Sequence, residues 1–502
     1  MNRLPIRYRF IFACKLVTGL VCIGGILQSP LQADWPQWRG ANRDGYAESE
    51  NLIRDLPPEG LKPIWEFAGF EGGNSGGWSS PIIADGKVYL YAHTKSKKEG
   101  ADPGPAKFPW LAPDKRSGMT DDEYEEYEVN RRDENEARAK AFAFEQRVVC
   151  LDLDSGKTIW DKREPVVYTR FVQSGTPCVA DGMLFVLGPE RTAYCYDAET
   201  GDVRWTTRLP GEFRDEFFAS SFLVHADVAF VACGALVALD TDGGQLLWQG
   251  ETSLDYASHS SPVVWQVGKQ PSRSDLVIAN TQGGRTEGYR IADGKMLWEL
   301  QSGAGQATPI VTDDLLLTYG SSRKNGLSAF RLDAKTPEAT PELAWRFRGA
   351  ADSGSTPAVC EGSVFVQGEK RLAKVSLADG DTLWQTTLSI SNPRYSSLLV
   401  AGDLLYFGWD GLLCVDAKSD RFQVLFDAEI DSEGRLIKSD DLRNKLKLDE
   451  LAVSAGGGEV EKVWQKELSF GPLACSTPAI SDGVILIRRR DSLVSYRLSS
   501  EN

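Results

Sequence analysis

The sequence predicts an all-β, eight-bladed β-propeller. Three observations predict it. A Ser/Thr phrase recurs eight times, a Trp-ending phrase follows most copies, and the two ends of the chain hold complementary pieces of one unit. The first phrase is a Ser or Thr, often with Pro, then an apolar stretch and a turn of the Asp-Gly kind. Its copies begin at Ser79-Ser80-Pro81, Thr176-Pro177, Ser220-Ser221, Ser260-Ser261-Pro262, Thr308-Pro309, Thr356-Pro357, Ser396-Ser397 and Thr477-Pro478. The second phrase has the form apolar-Asp-x-x-x-Gly-x-x-x-Trp, as in Asp152–Gly156–Trp160, Asp197–Gly201–Trp205 and Asp240–Gly244–Trp248. Weaker copies end at Trp298, Trp345, Trp384 and Trp464.

Each unit reads as four antiparallel strands. The Ser/Thr segment is strand A, and Asp-Gly makes the tight A–B turn. An alternating run such as Met183-Leu184-Phe185-Val186-Leu187 is strand B. Strand C ends at the Asp, and the Gly turn leads into strand D with its Trp. Small residues at the start of strand A relieve crowding near the axis, and the Trp packs between adjacent blades. The last copy stops after strand C at Leu493–Leu498, whereas Pro63-Ile64-Trp65-Glu66-Phe67 supplies a strand D with nothing before it. The head of the chain is therefore expected to complete the last blade and remove the open sheet edges.

The expected layout is a signal peptide over 1–33, an N-terminal extension over 34–60 and the propeller over 61–502. The leader reading rests on Arg3, Arg7, Arg9 and Lys15, the apolar run Leu16–Leu27, and Ala33 at a plausible cleavage point. That run is too short to span a bilayer comfortably, so no stable membrane span is expected after cleavage. Two long spacings mark insertions. The first, at about 93–146, has a Pro-rich loop and then an exposed helix over 121–143. The second, at about 427–460, is expected to hold a short helix near Leu442–Leu448 and a flexible return through Gly456-Gly457-Gly458.

A formal charge of -15 argues against nucleic acid as a partner. Three scattered histidines, His93, His225 and His259, argue against a histidine-rich metal site. The seven cysteines after residue 33 sit singly in apolar segments, which suits buried thiols better than disulfides.

The phrase Tyr196-Asp197-Ala198-Glu199-Thr200-Gly201-Asp202-Val203-Arg204-Trp205 resembles the pyrroloquinoline-quinone (PQQ) repeat. That repeat is shared by quinoprotein alcohol dehydrogenases and the propeller subunit of the outer-membrane barrel assembly machine. The opening Trp35-Pro36-Gln37-Trp38-Arg39-Gly40, with Asn42-Arg43-Asp44-Gly45, is similar to the start of secreted bacterial PQQ-like propellers, some labelled polyvinyl-alcohol dehydrogenases. For a dehydrogenase the resemblance implies a quinone at the axis, a calcium held by Glu, Asn and Asp, a catalytic Asp, an aromatic floor and, in several members, a bridged Cys-Cys pair. This chain has neither Cys-Cys nor the Cys-x-x-Cys-His of an attached haem, and no motif places the calcium ligands or the base. No catalytic residue is assigned, no metal is expected and no cofactor is required; PQQ with calcium is what the dehydrogenase resemblance alone would add.

The segments before each strand A converge on one end of the axis. They offer Trp78, Arg170, Gln173, Arg214, Glu216, Tyr256, His259, Gln306, Asp352, Arg394 and Tyr395 as candidates for binding a ligand or partner. The first insertion, in a B–C loop, is expected to project from that face as a lid or docking arm. The expected function is an exported, periplasmic or extracellular, non-catalytic binding or scaffold module for an envelope protein. A PQQ-dependent alcohol or sugar dehydrogenase and a polysaccharide-binding propeller are the alternatives.

Overall fold

The computed structural model describes residues 34–500, apart from Ala112, Arg170, 212–217, 253–258, Asp313 and Asn392. The expected leader lies outside the described residues. Eight antiparallel sheets follow one another along the chain. Blade 1 consists of Ile82–Ala84, Lys87–Lys97, Phe142–Asp152 and Thr158–Pro165. Blades 2 to 6 occupy 178–208, 223–249, 263–300, 310–347 and 358–387. Blade 7 begins at Leu399–Ala401, and blade 8 joins Ala479–Ser481, Val484–Arg488 and Ser492–Arg497 to the N-terminal strand Trp65–Ala68. That strand pairs antiparallel with the last one, Trp65 opposite Ser495 and Ala68 opposite Ser492, so the ring closes as the sequence predicts.

The Ser/Thr phrase does more than relieve crowding. Around the axis, the backbone N–H of each leading residue donates to the hydroxyl of the next blade's. Ser80 donates to Thr176 (3.0 Å), Thr176 to Ser221 (2.9 Å), Ser221 to Ser261 (2.9 Å) and Ser261 to Thr308 (3.4 Å). Thr308 donates to Thr356 (3.1 Å), Thr356 to Ser397 (3.1 Å) and Thr477 to Ser80 (2.9 Å). Only the step from blade 7 to blade 8 lacks its bond, and the buried Thr477 hydroxyl there has no partner. Strand A is the innermost strand, so its N–H groups have no further strand to pair with; the hydroxyls satisfy them.

The Trp and Gly of the second phrase belong to different blades. The Trp65 indole donates to Leu153 O (2.8 Å), Trp160 to Ala198 O (3.1 Å), Trp205 to Thr241 O (2.8 Å), Trp248 to Ile291 O (2.9 Å) and Trp345 to Leu377 O (2.9 Å). Each acceptor lies in the C–D turn of the following blade. The glycine of that turn, for example Gly201 under Trp160, has positive φ and lies so close that a Cβ would overlap the indole. The corresponding turns of blades 5 and 7 contain no glycine. The indoles facing them, Trp298 and Trp384, are buried without an acceptor.

Two sequence expectations need correction. Trp464 does not end a strand D; it lies in a helix, Gly457–Glu467. The real strand D of blade 7 is Val424–Ile430, where Phe426 pairs with Cys414 as Trp160 pairs with Cys150. The flexible return is instead three helices, Ser439–Lys445, Leu448–Ala455 and Gly457–Glu467, after a fifth strand at Leu436–Lys438. Triple glycine at 456–458 reads as a breaker, but Gly456, at positive φ, only separates two helices. In the first insertion the blade 1 hairpin itself extends to Lys97↔Phe142, and the helix covers Asp121–Ala139, opened by a Thr120–Glu123 capping box.

The segment before the closing strand is no loose extension. Residues 34–47 run along the inner edges of the A strands: Trp35 bridges to Ile83, Val179 N–H donates to Pro36 O (2.8 Å), Val359 N–H to Asp44 O (3.0 Å), and Tyr46–Ala47 pairs parallel with Val400–Ala401. Two fully buried arginines fix it. Arg39 donates to Leu398 O and Pro357 O. Arg43 donates to Pro262 O (2.9 Å), Phe222 O and Gln37 Oε1 (2.9 Å). The axis is thereby plugged toward the end that carries the A–B turns. The described cysteines are all free, six of them buried.

Candidate functional site

At the opposite end of the axis the plug stops short and leaves a funnel of about 310 Å3. Its floor is Trp38, whose indole donates to the Thr308 hydroxyl (3.1 Å), tying plug to ring. Its walls follow a rule the repeat already contains. Where the chain is extended, the residue two positions before a leading hydroxyl shares that residue's side and faces the axis. Around the ring these residues are Trp78, Ser174, Ala219, His259, Gln306, Gly354, Tyr395 and Cys475. All but Gln306 line the funnel, together with Phe171.

Of the residues the sequence singled out, Trp78, His259 and Tyr395 come together here. The His259 and Tyr395 rings lie 5.4 Å apart. Asp352 does not face the funnel; its Oδ1 accepts the backbone N–H of Gly354 (2.9 Å), Ser355 (2.7 Å) and Tyr395 (3.3 Å), so it positions the wall. Tyr395 has φ 56 and Cys475 φ 68, left-handed conformations that non-glycine residues adopt at a cost. A Cβ at Gly354 would overlap the Tyr395 ring. Gln173 stands behind the wall. Its N–H donates to His93 Nδ1 (3.0 Å) and its Oε1 accepts from Phe218 N–H (3.1 Å). Burial holds the His93 imidazole far below its usual range, at about 3, so it is neutral. Gln306 donates its N–H to Ser353 O (2.7 Å) and keeps a buried, unpartnered Oε1. Arg394 is exposed, and its carbonyl accepts from Cys475 Sγ (3.8 Å). Arg170, Arg214, Glu216 and Tyr256 lie outside the described residues.

Sequence reading missed Trp38, Phe171 and Cys475. Cys475 was available from the two-before-hydroxyl rule. Trp38 was not, since nothing in its neighbourhood repeats. Burial raises the Cys475 thiol to about 12, so it is no thiolate at neutral pH. Among the described residues no three His, Cys, Asp or Glu side chains gather as a metal site.

A family model described as outer membrane protein assembly factor BamB matches residues 145–338. The BamB of Shewanella oneidensis is 23% identical over 255 residues, covering 46% of this chain and 60% of that protein. The chain thus matches less than two thirds of that relative's length. A europium-containing methanol dehydrogenase shares the fold, with a TM-score of 0.50 and 13% identity over 93% of this chain and 98% of its own. BamB from Moraxella catarrhalis aligns with a TM-score of 0.45 and 14% identity over 71% of this chain and 90% of its own. With its repeats resolved into eight closed blades, the chain is a PQQ-repeat β-propeller, similar over residues 145–338 to the BamB family.

Proposed function

We propose that this propeller is a non-catalytic, extracytoplasmic binding module that takes an apolar side chain of a protein partner into the axial funnel. The wall carries the reading: large rings at Trp78, His259 and Tyr395 line it together with small residues at Ser174, Ala219 and Gly354, over an indole floor. Aromatic walls around a concave, partly polar site suit burial of a partner's side chain. The relative named as an outer membrane protein assembly factor supports a protein partner. The leader expected over 1–33 supports export, and among the described residues no helix is long and apolar enough to cross a membrane.

A quinone with calcium does not fit the described lining. Its donors are one imidazole, one thiol and hydroxyls, whereas calcium takes six to eight oxygens and an anionic quinone needs cations. The proposal therefore includes no redox step.

The test places a photo-crosslinking residue at Tyr395, in the funnel, and at Glu361, on the far A–B turn. The expected result is a specific envelope-protein adduct from position 395 that is lost in Trp78→Ala and absent from position 361. Equal adducts from both positions, or stoichiometric retention of added quinone and calcium with dye reduction, would overturn the reading. Competition of the adduct by an oligosaccharide would replace the protein partner with a polysaccharide.

A further inference from the structure

We infer that the cavity between the helical arm and blade 1 is a binding site for a carboxylate carried on a flat apolar body. The cavity measures about 500 Å3 and lies under the helix Asp121–Ala139, beside the funnel, with Phe171 lining both. The chain is acidic, with a formal charge of -15, yet among the described residues no Asp or Glu lines this cavity while Lys95, Arg131 and Arg138 do.

Among the described residues Arg131 has an ion-pair partner, the Arg138 charge acts on Glu134 without an ion pair, and Lys95 has neither. Arg131 pairs with Glu128 one helical turn away. Arg138 spends Nη1 on the carbonyls of Pro103 and Gly104, both at 2.8 Å, and makes no ion pair with a described carboxylate. The Lys95 ammonium lies 4.3 Å from the Phe142 ring centre and likewise has no described ion-pair partner. Burial first, then the Arg138 charge, holds Lys95 below its usual range, as expected where two cations share a desolvated space. An anion placed between them would relieve that repulsion with charge-assisted hydrogen bonds. Phe142 and Phe171 give the lining its apolar surface, and Trp110, 60% exposed, belongs to it too. This site is separate from the funnel and does not depend on a protein docking there.

The shared chemistry has two sources, a free aromatic acid or an acidic-aromatic segment of a polypeptide. Calorimetry on the full chain would compare 2-naphthoate, its uncharged amide, and an end-blocked peptide containing Asp-Phe. The expected result is saturable 1:1 binding of a carboxylate probe, about ten-fold tighter than the amide. Lys95→Met and Arg138→Gln should each remove that preference in a protein that still unfolds in one cooperative transition, and Lys95→Arg should restore it. Preference for naphthoate assigns the site to a small acid, and preference for the peptide assigns it to a polypeptide. Equal affinity for acid and amide, insensitivity to both substitutions, or no binding of either carboxylate probe would overturn the inference.

Discussion

The two ends of the propeller axis are built from the same eight A strands and finish differently. At the A–B-turn end, residues 34–47 add inner-edge pairing and two buried guanidinium groups, which fill the axis itself and leave a polar hollow of about 660 Å3 between the plug and the A–B turns. At the other end the same segment contributes only Trp38 as a floor, and the strand starts stand open around it. Repetition makes a symmetric wall; a single non-repeating segment makes its two ends different, an aromatic funnel at one and a polar hollow over the plug at the other.

Breaking the plugged end should have the largest effect. Arg43→Met leaves the buried Pro262 and Phe222 carbonyls and Gln37 Oε1 without their donor, and should cost about 3 kcal/mol or more. A fall in the urea midpoint checks this, and an unchanged midpoint would mean the arginine only decorates the channel.

The next effect is pH dependence behind the open end. His93 stays neutral in the fold down to about 3, against an ordinary value of 6.5, so the stability it contributes is present above 6.5 and is lost as pH falls. The loss should reach about 2 kcal/mol at pH 5, and His93→Gln should flatten it in thermal scans from pH 7.5 to 5. Glu429 in blade 7, pushed up to about 7 by burial and then by Asp427 and Asp410, should act in the opposite sense. Its contribution is present below its ordinary 4.5 and is lost as pH rises through 7, so Glu429→Gln should stabilise the protein at pH 8 relative to pH 5.

Smaller differences sharpen the boundary between the ends. Thr308→Ala removes the acceptor shared by Ser261 N–H and the Trp38 indole, and should cost about 1–2 kcal/mol. Thr477→Ala removes a hydroxyl with no partner and should cost close to nothing. Parallel denaturation of the two tests whether the ring bonds, rather than the small size of these residues, matter. Least of all for stability, Tyr395→Ala should shift the midpoint by less than about 1 kcal/mol, because the side chain is only half buried, while abolishing partner capture.

Much of the fold was legible because a blade is local. Asp-x-x-x-Gly-x-x-x-Trp describes one hairpin, and its period reports strands that pair with their sequence neighbours. The reading failed where another residue type met the same need. Phe426 takes the Trp position of blade 7, and Trp464, which matched by letter, belongs to a helix. The funnel was half legible. Choosing polar and aromatic residues before strand A gave Trp78, His259 and Tyr395, but also Asp352 and Gln173, whose side chains serve backbone and neighbours instead. The two-residue alternation along an extended chain sets apart Gln173, three before Thr176, but not Asp352, which is four before Thr356 and is turned away by its bonds to backbone N–H groups.

Sequence alone determined the number of blades and the closure of the last by the first strand, since each depends on near neighbours or on a repeated phrase; that the Ser/Thr of that phrase bond blade to blade in a ring came from the structure. Only the tertiary structure decided that residues 34–47 fill one end of the axis, that Trp38 floors the other, and that Lys95 and Arg138 face one cavity. Those contacts join residues far apart in the chain and occur once, and a pattern that occurs once leaves no period by which to read it.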